Sequence, residues 1–249
     1  MTRISWSTVG DRIFEAGIDR GVLYVGGSPG VPWSGLVSVN QGQSGGEAKP
    51  KYRDGIKISN RSAPEDFEAS IEAYTYPLEF ERCDGTYRTD NGLRITQQRR
   101  KTFGLVYRSL VGNDVAGLSL GYKIHVLYNL KAEPSDHGYK TLTDQSEPST
   151  FNWKVTSRPA ETIGYKPTTH FIIDSRDVPL ELLRDVEDLL YGTDTTDPAL
   201  PTPGELMFLF DSFEDSIYDA GSPYTPVFVT YDAGTPATSV IDTIDGGAL

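Results

Sequence analysis

One cysteine, two methionines and three histidines are spread over 249 residues, and residues 185–249 contain no lysine or arginine. Each scarcity excludes something. With Cys83 alone, no intramolecular disulfide can form, which fits folding in a reducing compartment. The longest uninterrupted aliphatic–aromatic run, LMFLF at 206–210, is far too short to cross a bilayer as a helix. The opening MTRISWSTVGDRIFEAG has no apolar signal core, so neither export by a signal peptide nor membrane insertion is expected. His125, His137 and His170 have no second His or Cys at a metal-ligand spacing, so no metal is expected. His125 falls on the polar face of its strand and reads as a surface histidine. No Gly-x-Ser-x-Gly elbow is present, and Cys83 precedes an Asp-Gly turn with no neighbouring base. The glycines of GGSPG (26–30) lead into Val31-Pro32 and not into a helix, so they have no helix dipole to aim at a phosphate. No cofactor is expected.

Charge is scarce in one sign and unevenly placed. Residues 185–249 hold 13 acids, whereas residues 1–184 hold 23 cations against 22 acids. A near-neutral body with an acidic final quarter argues against a nucleic-acid binder, which needs many unopposed cations to neutralise phosphates.

Aromatics and turn formers are plentiful: 14 Tyr, 10 Phe and 3 Trp with 25 Gly and 16 Pro favour strands joined by tight turns. A period of two predicts strands in FEASIEAYTY (67–76), GYKIHVLYNL (121–130), TFNWKVTS (150–157) and at Phe103, Leu105 and Tyr107. In 121–130, Tyr122, Ile124, Val126, Tyr128 and Leu130 are expected to share one face. Further strands are expected at 21–25, 35–39 and 170–173. Asp54-Gly55 and Asn91-Gly92 tolerate the positive φ of two-residue hairpins and predict two of them.

Two helices are predicted. DVPLELLRDVEDLLYG carries Leu182, Leu183, Val186, Leu189 and Leu190 on one stripe and stops at Gly192. TPGELMFLF opens with Thr202 as cap, Pro203 at the first helical position and Glu205 closing a capping box. Beyond Phe210 the pattern fades, and YDAGSPYTP and YDAGTPATS form a degenerate tandem poor in apolar residues. The reading is a β domain over 1–210 and an extended acidic C-terminal arm over 211–249 that orders against a neighbour, with a solvated tail as the alternative.

Paired carboxylates are the strongest enzymatic lead. Glu68 and Glu72 would stand about 13 Å apart along a strand, outside both glycosidase geometries. Glu79 and Glu81 would stand about 6.6 Å apart, inside the inverting range, although Pro77 makes a strand there doubtful. Chemistry is not expected, and the chain is read as a non-enzyme.

Taken in order, GDRIFEAGIDRGVLYV, GVPWSGLVSVNQGQSGGEAKPKYRDGIK, FEASIEAYTYPLEFERCDG, ITQQRRKTFGLVYRSLVGND and GYKIHVLYNL resemble the major tail protein of long, non-contractile-tailed phages of actinobacteria. GYKPTTHFIID, VEDLLYG, LPTPGEL and IDTIDGGA continue the resemblance over nearly the whole chain. It implies a mainly β fold, a β-sandwich or barrel of the phage tail tube type with one or two flanking α-helices. It also implies hexameric rings stacked into a tube around a tape-measure protein, bounded by tail tip and tail terminator or connector proteins. DNA would pass through without specific binding, and the chain would reside in the virion after assembly in the host cytoplasm. In that frame Arg94, Arg99, Arg100 and Lys101, beside the second hairpin, are expected to contact acids of an adjacent subunit. The alternative is a virion-surface β-sandwich that binds host glycans through Trp6 or Trp33, since Trp153 alternates as a core residue.

Overall fold

The computed structural model describes residues 8–45, 48–54, 56–62, 65–139, 141 and 148–219. In chain order these form β1 (Phe14–Val25), β2 (Val31–Pro32), β3 (Leu36–Gly45), β4 (Ala48–Arg53), β5 (Ile56–Ser62) and β6 (Glu65–Ala73). A 3-10 turn over Leu78–Arg82 follows, then β7 (Tyr87–Arg88), β8 (Arg94–Ile95), β9 (Phe103–Asn113) and β10 (Gly117–Ala132). The remainder is β11 (Phe151–Ser157), β12 (His170–Asp174), α1 (Leu180–Tyr191) and α2 (Pro203–Asp219). Among the described residues the fold is mainly β, as its aromatic and glycine content anticipates.

One antiparallel sheet runs β2-β1-β9-β10-β11-β6-β3, and β12 pairs separately with β10. The sixteen-residue β10 makes this possible. Its middle, Lys123 to Leu127, pairs with β12, while Leu130 to Ala132 pair with β11. Between the two lies Asn129 with φ +53°, at a register shift against β9. The irregularity turns the sheet back on itself, so β1, β9 and β10 face β6 and β11 across a common core.

That core holds Leu23 and Val25 from β1, Phe103, Leu105 and Tyr107 from β9, and Leu127 and Leu130 from β10. Against them pack Ala69, Ile71 and Ala73 from β6, and Trp153 and Val155 from β11. Trp33 and Phe80 plug the same space, with ring centroids 4.6 Å apart, and Phe80 meets Trp153 edge-on at 5.0 Å. Burying this many aromatic rings is the dominant favourable term for such a core.

The opposite face of β1, β9 and β10 is covered as well. Val22, Val106, Ile124 and Val126 are buried there, as are Leu182, Leu183, Val186 and Leu190 of α1. Polar links fix the helix in place: the Tyr24 hydroxyl donates to the Leu190 carbonyl, and the Tyr122 hydroxyl donates to Glu187 at 2.8 Å. Residues 103–109 are therefore buried without interruption, where alternation anticipated one wet face. A strand sandwiched between a core and a helix has no solvent side. The shift at Asn129 corrects a second expectation. Leu130 lies in the core with Leu127, not on the face shared by Ile124 and Val126.

Both helices obey their caps. α1 ends at Gly192, with φ +77°. At the start of α2 the Glu205 backbone N–H donates to Thr202 Oγ1 at 3.3 Å, while the Thr202 N–H donates to Glu205 Oε2 at 2.7 Å, a reciprocal capping box. The fold divides into two units, Met1–Phe210 and Asp211–Leu249. Of the second, the described residues 211–219 continue α2 as helix, so the extended arm anticipated from 211 does not begin there. Its remainder, including the tandem, lies outside the described residues.

Candidate functional site: surfaces for assembly

Beyond Glu68, the last β6 residue paired with β11, strands β3 and β6 run on together as a two-stranded ribbon. Their pairing runs from Leu36 opposite Ala73 to Gly45 opposite Glu65, and β4 and β5 continue it from Ala48 opposite Ser62 to Arg53 opposite Ile56. Asp54, at the tip, has φ +50°, as a two-residue hairpin requires. β4 and β5 pair with each other and with no other strand among the described residues. Ile56 and Ile58 are 70% and 63% exposed there. In sequence, residues 48–62 carry Lys49, Lys51, Arg53, Lys57 and Arg61 against Asp54 alone. A two-stranded ribbon has little stability of its own. β3 also ends the sheet order, so its outer edge has no paired strand among the described residues. It contains neither proline nor lysine, residues that usually blunt such an edge.

The second hairpin closes through Asp90, Asn91 and Gly92, with Gly92 at φ +84° and Thr89 N–H donating to the Leu93 carbonyl at 2.9 Å. Its loop is one residue longer than Asn91-Gly92 alone suggests. The segment that follows is tied to the 3-10 turn region: Gln98 N–H donates to the Gly85 carbonyl at 2.8 Å, and Lys101 N–H to the Arg82 carbonyl at 3.0 Å.

The four cations of this region divide into two kinds. Arg94 Nε sits 2.5 Å from Glu81 Oε1, and Glu81 is only 5% exposed. Arg100 Nη2 donates to the Asp84 carbonyl oxygen at 2.8 Å and lies 3.7 Å from the Asp84 carboxylate. Both are held by their own chain. Arg99 and Lys101 are exposed and form no ion pair among the described residues. Asp84 also lies 3.5 Å from His137 Nε2, and burial pushes its carboxyl above the usual range.

The carboxylate pair does not form a catalytic arrangement. Glu79 and Glu81 lie in the 3-10 turn, not on a strand, with Pro77 as its N-cap. Glu81 turns into the protein toward Arg94. The glycan-binding alternative also loses a residue. Trp33 is 2% exposed, and its indole N–H donates to the Thr75 carbonyl at 2.9 Å; Trp6 lies outside the described residues. Cys83 is fully buried, and desolvation pushes its thiol up to about 12. Among the described residues no group of three or more His, Cys, Asp or Glu could hold a metal, and no helix is long and apolar enough to cross a membrane.

Sequence reasoning missed a buried polar cluster. His125 is 8% exposed, not a surface residue. Its Nε2 is hydrogen-bonded to Ser109 Oγ at 2.9 Å and its Nδ1 to His170 Nε2 at 3.0 Å. The two imidazoles lie within 19° of parallel, and Tyr107 stacks on His125 at 4.8 Å. Gln41 of β3 donates to the Tyr107 hydroxyl, and Phe67 of β6 meets His170 at 5.9 Å. Glu15 accepts from Ser109 at 3.4 Å and pairs with Lys123 at the wet end. Burial lowers both histidines, His170 to about 4 with His125 as a second cause. The available signal was β10 period: His125 shares a face with Leu127, which points inward.

No protein-family model and no curated protein matches the chain. Solved structures do. A chain of the anti-feeding prophage baseplate aligns over 68% of this chain and 97% of its own, at 9% identity and a TM-score of 0.34. A chain of an extracellular contractile injection system sheath–tube complex in the extended state aligns over 68% and 93%, at 13% identity and a TM-score of 0.30. A chain of the anti-feeding prophage tube-terminating cap aligns over 70% and 97%, at 10% identity and 0.31. At these scores the likeness says nothing of function.

Proposed function

We propose that this chain is a structural virion protein whose copies form stacked hexameric rings, a tail tube through which a phage genome enters its host. The observation that carries the reading is the β4–β5 ribbon. It pairs only with itself among the described residues and exposes Ile56 and Ile58. Such a projection gains its stability from a neighbour, and the unblunted edge of β3 offers a second place for one. The resemblance, which spans nearly the whole sequence, supports the same reading. The tube surrounds a tape-measure protein and is bounded by tip and terminator proteins, and DNA slides through it without specific contacts. The balance of 23 cations against 22 acids over residues 1–184 suits that task, because each phosphate neutralised by an unopposed cation would steepen salt-dependent adhesion by about 0.9 in log–log slope.

In this reading the segment with Arg94, Arg99, Arg100 and Lys101 contributes to contact between subunits. Arg99 and Lys101 reach the neighbour, while Arg94 and Arg100 fasten the segment to Glu81 and Asp84. The test is the double variant Ile56→Asp with Ile58→Asp. It is expected to keep the wild-type circular dichroism and melting behaviour while losing tubes in electron micrographs. Tubes of wild-type length from that variant would remove the ribbon from the assembly.

A further inference from the structure

Beside the segment just described lies an open cleft of about 630 Å³, lined by Arg99, Arg100, Thr102, Lys131, Glu133 and Thr156. Three cations face one carboxylate there. Arg99 and Lys131 are exposed and form no ion pair among the described residues. Arg100 Nε is buried without a hydrogen-bond partner, while Nη2 is committed to Asp84. A guanidinium fixed on one edge by its own chain leaves its neighbours, Arg99 and Lys131, to receive an anion.

Elsewhere on the same unit the charge is reversed. Asp177, Glu181, Asp185 and Asp188 are exposed along α1 and its approach, and Asp194 and Asp197 are exposed in the loop after it. None forms an ion pair among the described residues, and Arg184 is the one cation within the α1 stretch. Glu181, Asp185 and Asp188 recur at four and three residues, so they share one side of the helix. That side points away from the sheet, because Leu182, Leu183, Val186 and Leu190 fill the inner one.

We infer that the Arg99–Arg100–Lys131 cleft receives the acidic outer stripe of α1 from a second copy of this chain. The inference rests on the assembly reading above and names the two faces that meet. In the ring of the assembly reading the contact is heterologous: each copy gives its stripe to one neighbour and its cleft to the other. Repeated head to tail, such a contact closes into a ring or runs on as a filament, whereas a reciprocal two-fold pair would stop at a dimer. Complementary charge also sets the register of approach and disfavours stripe-to-stripe encounters. DNA is the poorer occupant, because six unpaired acids on the same unit would repel its phosphates.

Two charge reversals test this. One variant carries Arg99→Glu and Lys131→Glu; the other carries Asp185→Lys and Asp188→Lys. All four side chains are exposed, so both variants should melt like the wild type. Each alone is expected to raise the concentration needed for assembly by about tenfold or more, read by sedimentation velocity. An equimolar mixture should restore assembly as the two variants alternate, because the acidic cleft of one meets the basic stripe of the other at every second junction and an unaltered cleft meets an unaltered stripe at the junctions between. Two impaired variants whose mixture stays impaired would overturn the pairing. So would two variants that assemble like the wild type, although that outcome leaves the tube reading standing. Wild-type protein that stays monomeric across the concentration range would instead overturn the tube reading and this contact together.

Discussion

Replacing His170 by asparagine should flatten the acid side of the stability profile. In the native fold His170 is largely enclosed, with His125 Nδ1 at 3.0 Å on one side and Phe67 on another. Charging it would bury a cation away from water and against the His125 ring. Burial and His125 therefore hold it down to about 4, against 6.5 in an unfolded chain. Because the folded value is the lower one, the stabilisation is complete above pH 6.5 and disappears as pH falls from 6.5 towards 4. A gap of that size corresponds to about 3 kcal/mol in full, of which about 2.5 kcal/mol is lost between pH 7.5 and 4.5. His125, also lowered, adds a loss of the same sign. Asp19 and Asp174, which Arg108 and Arg176 hold below the usual carboxylate range, lose their stabilisation mainly below about pH 4, outside this window. The comparison is therefore between proteins, not between pH values. Urea unfolding at pH 7.5 and 4.5 should show a smaller drop in the asparagine variant than in the wild type, by about 2 kcal/mol. The variant is expected to be weaker at pH 7.5, since the shorter amide side chain would not reach His125 in the same way. Equal drops in both proteins would refute the claim that a neutral His170 is built into the fold.

Four further outcomes follow from single substitutions. Arg94→Gln should lower the urea midpoint of the subunit itself, because the buried Glu81 carboxylate loses its partner. Arg99→Gln, with no such partner to strand, should leave that midpoint where it is. Arg108 is 8% exposed, grips Asp19 through Nε at 2.8 Å and Nη2 at 2.6 Å, and lies 4.3 Å from the Tyr122 ring centre. Arg108→Ala should lower the melting temperature and cost about 2–3 kcal/mol, part of it lost packing. Gly112→Ala should be severely destabilising by calorimetry, since a Cβ there would collide with the Gly117 carbonyl oxygen and that backbone cannot step aside cheaply.

Much of the fold was readable where one physical rule acted alone. The period of two in β6 and β11, the capping box at Thr202 and the stop at Gly192 all stand, because each depends on neighbours in sequence. The reading failed where distant elements intervened. The cover supplied by α1 removes the solvent face of β9, and Asn129 switches the phase of β10 so that Leu130 changes sides. His125 and His170 are 45 residues apart and meet only because β12 pairs with β10. The cationic segment was legible as a cluster. Its division into Arg94 and Arg100, held inside, and Arg99 and Lys101, left outside, depends on where the 3-10 turn sets Glu81 and Asp84. That turn was hidden because Pro77 interrupts a pattern otherwise like a strand.

The claim on which the rest depends is association of many copies into a passage. End-on class averages of the purified full-length chain, taken by electron microscopy at rising concentration, address it directly. The expected image is a six-fold ring with an open centre, and side views of stacked rings. A population of single, unassociated subunits at every concentration, in which Ile56 and Ile58 stay open to solvent, would contradict it.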